Sequence, residues 1–171
     1  MAALRNLLQW KTIAKEALDR TLIVTKFLCI LHVTDKYLCS SFHVHGPSMY
    51  PTMNLKGDVL LVEKFSTRLG KLVPGDIVML KAPDNPTRTV TKRLLGMEGD
   101  QVTFLTDPHI ESSTKTLLVP KGHVWVQGDN LYDSKDSRYF GPVPYGLLEG
   151  KVFYRIWPLI DFGSLNQGLW K

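Results

Sequence analysis

From Trp10 the apolar positions fall at Trp10, Ile13, Ala14, Ala17, Leu18 and Leu22, with Lys11, Lys15, Glu16 and Asp19 elsewhere on the wheel. That is the spacing of an α-helix with one apolar face. The pattern then thickens into Leu22-Ile-Val-Thr-Lys-Phe-Leu-Cys-Ile-Leu-His-Val33, interrupted by Lys26 and His32. At ~1.5 Å per residue this run covers ~18 Å, short of the ~30 Å hydrocarbon core of a bilayer. The stretch therefore predicts a helical segment over residues 1–40 that meets a membrane. It is read as a short or tilted anchor with Lys26 snorkelling, as a helix lying in the interface, or as a helix packed on a partner subunit. A cleaved secretory leader fits less well, because Glu16 and Asp19 occupy the would-be basic region and no small-x-small site follows Val33.

After residue 40 the periodicity shortens to apolar runs opened by turns. Gly57-Asp58 precedes Val59–Val62, Pro74-Gly75-Asp76 precedes Ile77–Leu80, Gly99-Asp100 precedes Val102–Phe104, Gly122-His123 precedes Val124–Val126, and Gly150 precedes Val152–Ile156. Val90–Leu95 and Leu117–Val119 add two more strands. The reading is a mainly β domain over residues 41–171, with two small antiparallel sheets folded around one core. Residues 128–148 hold Gly, Pro, Asp, Asn and Ser without periodicity, a long loop of the kind that carries function.

Composition narrows the partners. At 171 residues the chain holds about one domain, and +3 of its +5 formal charge falls in residues 1–40. The remaining body has no strong basic excess, which argues against nucleic-acid binding and for a basic segment facing anionic lipid. Cys29 and Cys39 form no CxxC pair and no metal spacing, so both read as inert reduced thiols and no cofactor is expected.

Three places carry chemistry. Ser48 lies in Phe42-His-Val-His-Gly-Pro-Ser-Met-Tyr-Pro-Thr52, where Pro47 and Pro51 stiffen the backbone and Met49 and Tyr50 give an apolar rim. Without its neighbours such a serine is a turn residue; as a nucleophile it needs a base. No Gly-x-Ser-x-Gly elbow is present, and His43 and His45 lack a third ligand at metal spacing, so they read as a surface or core-edge pair. Lys92 is the better base. A strand through Arg88–Leu95 puts it on one face with Val90 and Leu94, and an amine desolvated among aliphatics favours its neutral form. The third place is the loop Gly128–Val143, where Asp129 or Asp136 with Arg138 is either a solvated cluster or an ion network locking the loop.

The motifs Gly46-Pro-Ser-Met-Tyr-Pro-Thr52, Pro74-Gly-Asp-Ile-Val78, Thr91-Lys-Arg-Leu-Leu-Gly-Met-Glu-Gly-Asp100 and Gly128-Asp-Asn130 with Asp136-Ser-Arg138 stand in this order over residues 42–143. Together they resemble the type I signal peptidase family, and within it the mitochondrial inner membrane protease subunits. The run Val119-Pro-Lys-Gly-His-Val-Trp-Val-Gln-Gly-Asp-Asn130 is similar to the first subunit of that branch. The resemblance implies a Ser/Lys dyad in which Ser48 attacks and Lys92 is the general base, with Ser134 orienting the lysine and Asp136 and Arg138 paired to hold the loop. It further implies an extended substrate lying between residues 42–47 and 89–92, with Phe42, Val44 and Met49 lining pockets for residues before the cut. Precursor proteins with N-terminal sorting signals, a second related subunit and membrane lipid are the implied partners, on the outer face of the mitochondrial inner membrane. One departure stands out: where bacterial relatives place a hydroxyl residue two before the nucleophile to help hold the oxyanion, this chain has Gly46. The competing readings are a non-catalytic scaffold subunit of the same complex, a signal peptidase of a bacterial or thylakoid membrane, the self-cleaving domain of a repressor, and a basic nucleic-acid-binding module.

Overall fold

The computed structural model describes residues 2–106 and 113–165, with the backbone alone for residues 2–9 and Thr12. It divides into two units, Met1–Leu38 and Cys39–Lys171. In the first, α1 (Ala2–Val33) ends in a π-helical turn, Thr34–Leu38. The hydroxyls of Thr21 and Thr25 donate back to the carbonyls of Ala17 at 2.8 Å and Thr21 at 2.9 Å. This satisfies them inside the helix, so only Lys26 and His32 bring strong polarity to the stretch from Leu22 to Val33. No helix among the described residues is long and apolar enough to cross a membrane.

The second unit is mainly β, as the turn-punctuated apolar runs predict. Its strands are β1 (Cys39–His45), β2 (Lys56–Glu63), β3 (Ile77–Ala82), β4 (Asn85–Gly96), β5 (Gln101–Leu105), β6 (Thr114–Leu118), β7 (His123–Gln127), β8 (Val143–Pro144), β9 (Leu148–Trp157) and β10 (Gly163–Ser164). Two one-turn helices, α2 (Phe65–Arg68) and α3 (Ser137–Phe140), interrupt them. Eight strands form one antiparallel sheet in the order β1-β2-β9-β3-β4-β7-β8, with β10 on β9; β5 and β6 form a separate hairpin.

The sheets are thus unequal, and the buried apolar side chains fall in three clusters rather than around one core. The cause lies in β3, which is covered on both faces. Ile77 and Met79 join Met49, Leu60, Val62 and Val152 on one side, while Val78 and Leu80 join Leu94, Val124, Val126 and Val143 on the other. A continuous apolar run is what burial on both faces requires. The third cluster, Val102, Val119 and Trp125, seats the β5–β6 hairpin.

Two features of this sheet position the site. Among the described strands β1 pairs only with β2, leaving its outer edge open. β4 pairs along its length with β3, but β7 meets it only from Arg93 onward, so Asn85–Lys92 also presents an unpaired edge among the described strands.

Candidate active site

β1 runs directly into the segment that carries Ser48. Gly46 has φ +117°, a conformation that L side chains rarely adopt, and its N–H donates to Leu55 O at 2.9 Å. It opens a single 3₁₀ turn, Pro47–Met49, closed by Tyr50 N–H donating to Pro47 O at 3.0 Å. Met49 points into the first core, leaving the preceding serine half-buried at its edge.

The turn is tied down from two sides. Asn130 donates its backbone N–H to Ser48 O at 3.1 Å and its side-chain amide to Pro47 O at 3.2 Å. Below, Asn54 donates from its backbone and its side chain to the buried Asp58 carboxylate at 3.0 and 2.9 Å. Asp58 also accepts from Arg155 Nη1 at 3.1 Å, and the same nitrogen donates to Thr52 O at 3.3 Å. The stiffness expected from Pro47 and Pro51 is therefore reinforced by bonds to β2 and β9.

Lys92 stands on β4 opposite Val78 and is 2% exposed. Its ammonium Nζ donates to Ser134 Oγ at 3.1 Å, and that hydroxyl in turn donates to Asp136 Oδ2 at 2.7 Å. Because the serine's only proton is spent on the carboxylate, its oxygen is left to accept from the lysine. Burial is the largest influence on the amine and lowers it from 10.5 to about 8, with Asp136 opposing and the charges of Arg88 and Arg138 adding to the drop. For Asp136 burial works upward, yet hydrogen bonds from Arg138, the Gly128 N–H and Ser134 outweigh it and hold the carboxyl below its ordinary value. An amine near 8 beside a fixed carboxylate takes and returns a proton close to neutral pH.

Of the alternatives open in the sequence, the loop takes the ion network, with Asp136 rather than Asp129 on Arg138. Asp136 pairs with Arg138, whose Nε and Nη2 both donate to it at 2.9 Å and whose Nη1 holds Leu131 O at 2.8 Å. Asp129 pairs instead with Arg93, the residue after the buried lysine, through two bonds of 2.8 and 2.6 Å, and also accepts from Thr52 Oγ1. Arg93 is wholly buried and reaches Gly75 O at 2.8 Å as well. Thus one bidentate ion pair joins the lysine's strand, the loop after Ser48 and the turn before β3. Truncating one partner of such a pair strands a buried charge at a cost of about 3–5 kcal/mol. Asp129→Ala is expected to lower unfolding stability by about that amount, seen as an earlier denaturant midpoint with an unchanged slope.

Arg93, Thr52, Asn130 and Gly128 were given no role from the sequence, although all four stand in the quoted motifs. At Gly128 a Cβ would lie 2.2 Å from Ser134 Oγ and 2.4 Å from Ser48 O, so this position is where the two serine-bearing segments meet. Gly128→Ala is expected to push both apart and to cost ~10–100-fold in turnover, more than in KM. A kcat-against-KM comparison reads this directly.

Ser48 and Lys92 line one cleft of about 450 Å³, together with Phe42, Val44, Met49, Met53 and Met79. Phe42 and Val44 pack from β1 onto the core cluster containing Met49, as expected for residues lining a shared apolar floor. His43 and His45 are exposed on the same rim. The oxyanion question raised by Gly46 is sharpened: it has no hydroxyl, and its amide is already engaged by Leu55.

A family model described as "Signal peptidase, peptidase S26" matches residues 17–110 and 105–157. "Mitochondrial ATP-independent inner membrane protease subunit 1a" of Arabidopsis thaliana is 58% identical over 166 residues, covering 97% of this chain and 99% of that one. "Mitochondrial inner membrane protease subunit 1" of Mus musculus is 42% identical over 139 residues, covering 81% and 82%. "Mitochondrial inner membrane protease subunit 2" of Saccharomyces cerevisiae is 33% identical over 157 residues, covering 88% and 86%. With matches across most of its length and a buried lysine facing the same cleft as its motif serine, the chain belongs to the S26 family of signal peptidases.

Proposed function

We propose that this peptidase is a membrane-associated serine endopeptidase that removes N-terminal sorting segments from precursors delivered to the mitochondrial intermembrane space. The observation that carries the chemistry is Lys92, an amine brought to about 8 by burial and aimed by Ser134, lining the cleft that Ser48 also lines. An extended precursor segment pairs with the open edges of β1 and β4, placing its scissile carbonyl at Ser48. Neutral Lys92 takes the hydroxyl proton as Ser48 Oγ attacks the carbonyl carbon. The resulting ammonium then protonates the leaving amine as the C–N bond breaks, giving an acyl-enzyme. Water, deprotonated by the same amine, releases the shortened acid and restores Ser48. Asp136, Arg138 and Ser134 act through Lys92 as positioning residues, and Asp129 with Arg93 fixes the loop on which the serine stands.

Residues 1–40 supply the membrane contact. Between Leu22 and Val33 apolar residues occupy every side of the helix, while the threonine hydroxyls are internally satisfied. The relatives named as subunits support assembly with a second, related subunit. The test is N-terminal mapping of inner-membrane and intermembrane-space proteins in mitochondria depleted of this chain. A subset should retain sorting segments and be corrected by the full chain. Unchanged N-termini would defeat the reading. In the same cells, a chain lacking residues 2–33 is expected to leave the membrane fraction on carbonate extraction and to fail to correct processing.

A further inference from the structure

The charges of the cleft are unequally engaged. Lys92 is held by Ser134 at 3.1 Å, and Lys135 by Asp84 at 2.8 Å. Arg88 lines the same cleft, exposed, and makes no hydrogen bond or ion pair with any described residue. The cleft's remaining carboxylate, Asp133, makes no ion pair with Arg88. Asp84, the carboxylate near enough to feel the Arg88 charge, is already bonded to Lys135, so the outer end presents a guanidinium with no carboxylate at hydrogen-bonding distance among the described residues.

Arg88 and Lys92 are four residues apart on β4 and both line the cleft, separated along the strand by about 13 Å at ~3.3 Å per residue, with Arg88 at the register shift between Asn85 and Thr89. The charge is felt at the dyad. After desolvation, and against the pull of Asp136, repulsion from Arg88 is the next influence that lowers the lysine. β1 leads into Ser48 and β4 leads into Lys92, so chain preceding the cut lies beside β1 residues 42–45 and β4 residues 88–91. One substrate residue passes per strand residue, which brings the fourth or so before the scissile bond abreast of Arg88.

We propose that Arg88 is a specificity-determining residue that pairs with an aspartate or glutamate side chain about four residues before the cleavage site. This rests on the peptidase reading above. The guanidinium offers a planar fork that matches a carboxylate, and no described residue competes for it at hydrogen-bonding distance. Being exposed, the pair has the modest strength of a surface ion pair, a preference of about two- to five-fold rather than an absolute requirement.

The test is digestion of a proteome-derived peptide library by the membrane-extracted complex carrying the full chain, with cut sites read by mass spectrometry. Only cuts lost in Ser48→Ala are counted. The expected result is enrichment of Asp and Glu, by about two- to five-fold, in the window three to five residues before the cut. Arg88→Lys should retain it and Arg88→Glu should replace it with Lys and Arg. Because Arg88 is exposed, the charge swap leaves the fold intact, which circular dichroism verifies. Identical residue distributions for wild type and Arg88→Glu among serine-dependent cuts would overturn this inference and leave the peptidase reading standing. No serine-dependent cut at all would overturn both.

Discussion

Ser48→Ala is expected to abolish processing of a membrane-sorted precursor, lowering kcat by roughly 10⁴-fold or more with KM nearly unchanged. The alanine loses the nucleophile but keeps the 3₁₀ turn, whose bonds to Asn130 and Leu55 are made by backbone atoms of residues 46–48. Substrate pairing with the strand edges should therefore persist, and the variant should trap precursor. Measured with the second subunit present and carrying its own inactivating change, this result separates enzyme from scaffold. Cleavage that survives Ser48→Ala would place the chemistry elsewhere.

Lys92→Arg should be nearly as severe, with a loss of roughly 10²–10⁴-fold, although it keeps the positive charge. A guanidinium stays protonated at any working pH, so it cannot receive the serine proton. Activity within tenfold of wild type would end the general-base assignment. The wild-type profile supplies the sign. With the amine at about 8, only the minority neutral form acts at pH 7, so the rate should climb about tenfold per unit below that value and level off above it. Folding responds over a different window. In the unfolded chain the lysine titrates near its ordinary 10.5, so between about 8 and 10.5 the unfolded state holds a proton that the folded state has released. Stability rises with pH across that window.

Lys92 was legible because a two-residue period placed it among aliphatics, and burial bears out the desolvation that this implies. The adjacent Arg93 was not, since its partner Asp129 lies 36 residues away and reaches it only through the β4–β7 pairing. Periodicity reports which face a side chain takes, not which distant strand lies opposite. For the same reason Val78 and Met79, neighbours in one apolar run, gave no hint that they serve different cores. The loop over 128–148 was readable as functional from its length, but its order comes from Asp136, a buried carboxylate serving as hub for Gly128, Ser134 and Arg138. Nothing local in an Asp-Ser-Arg sequence distinguishes such a hub from a solvated cluster.

The floor of the cleft is built from three buried methionines, Met49, Met53 and Met79. Unbranched thioethers turn about several bonds at low cost, so the surface beneath a bound peptide reshapes itself around side chains of different outline. Selection by shape is then expected to be permissive, leaving discrimination to backbone pairing and to the charge proposed for Arg88. The same sulfurs give the enzyme an oxidative weakness. A sulfoxide at any of the three would put a polar oxygen under the substrate and against Phe42 and Val44, so peroxide should slow processing, and methionine sulfoxide reductase should restore it.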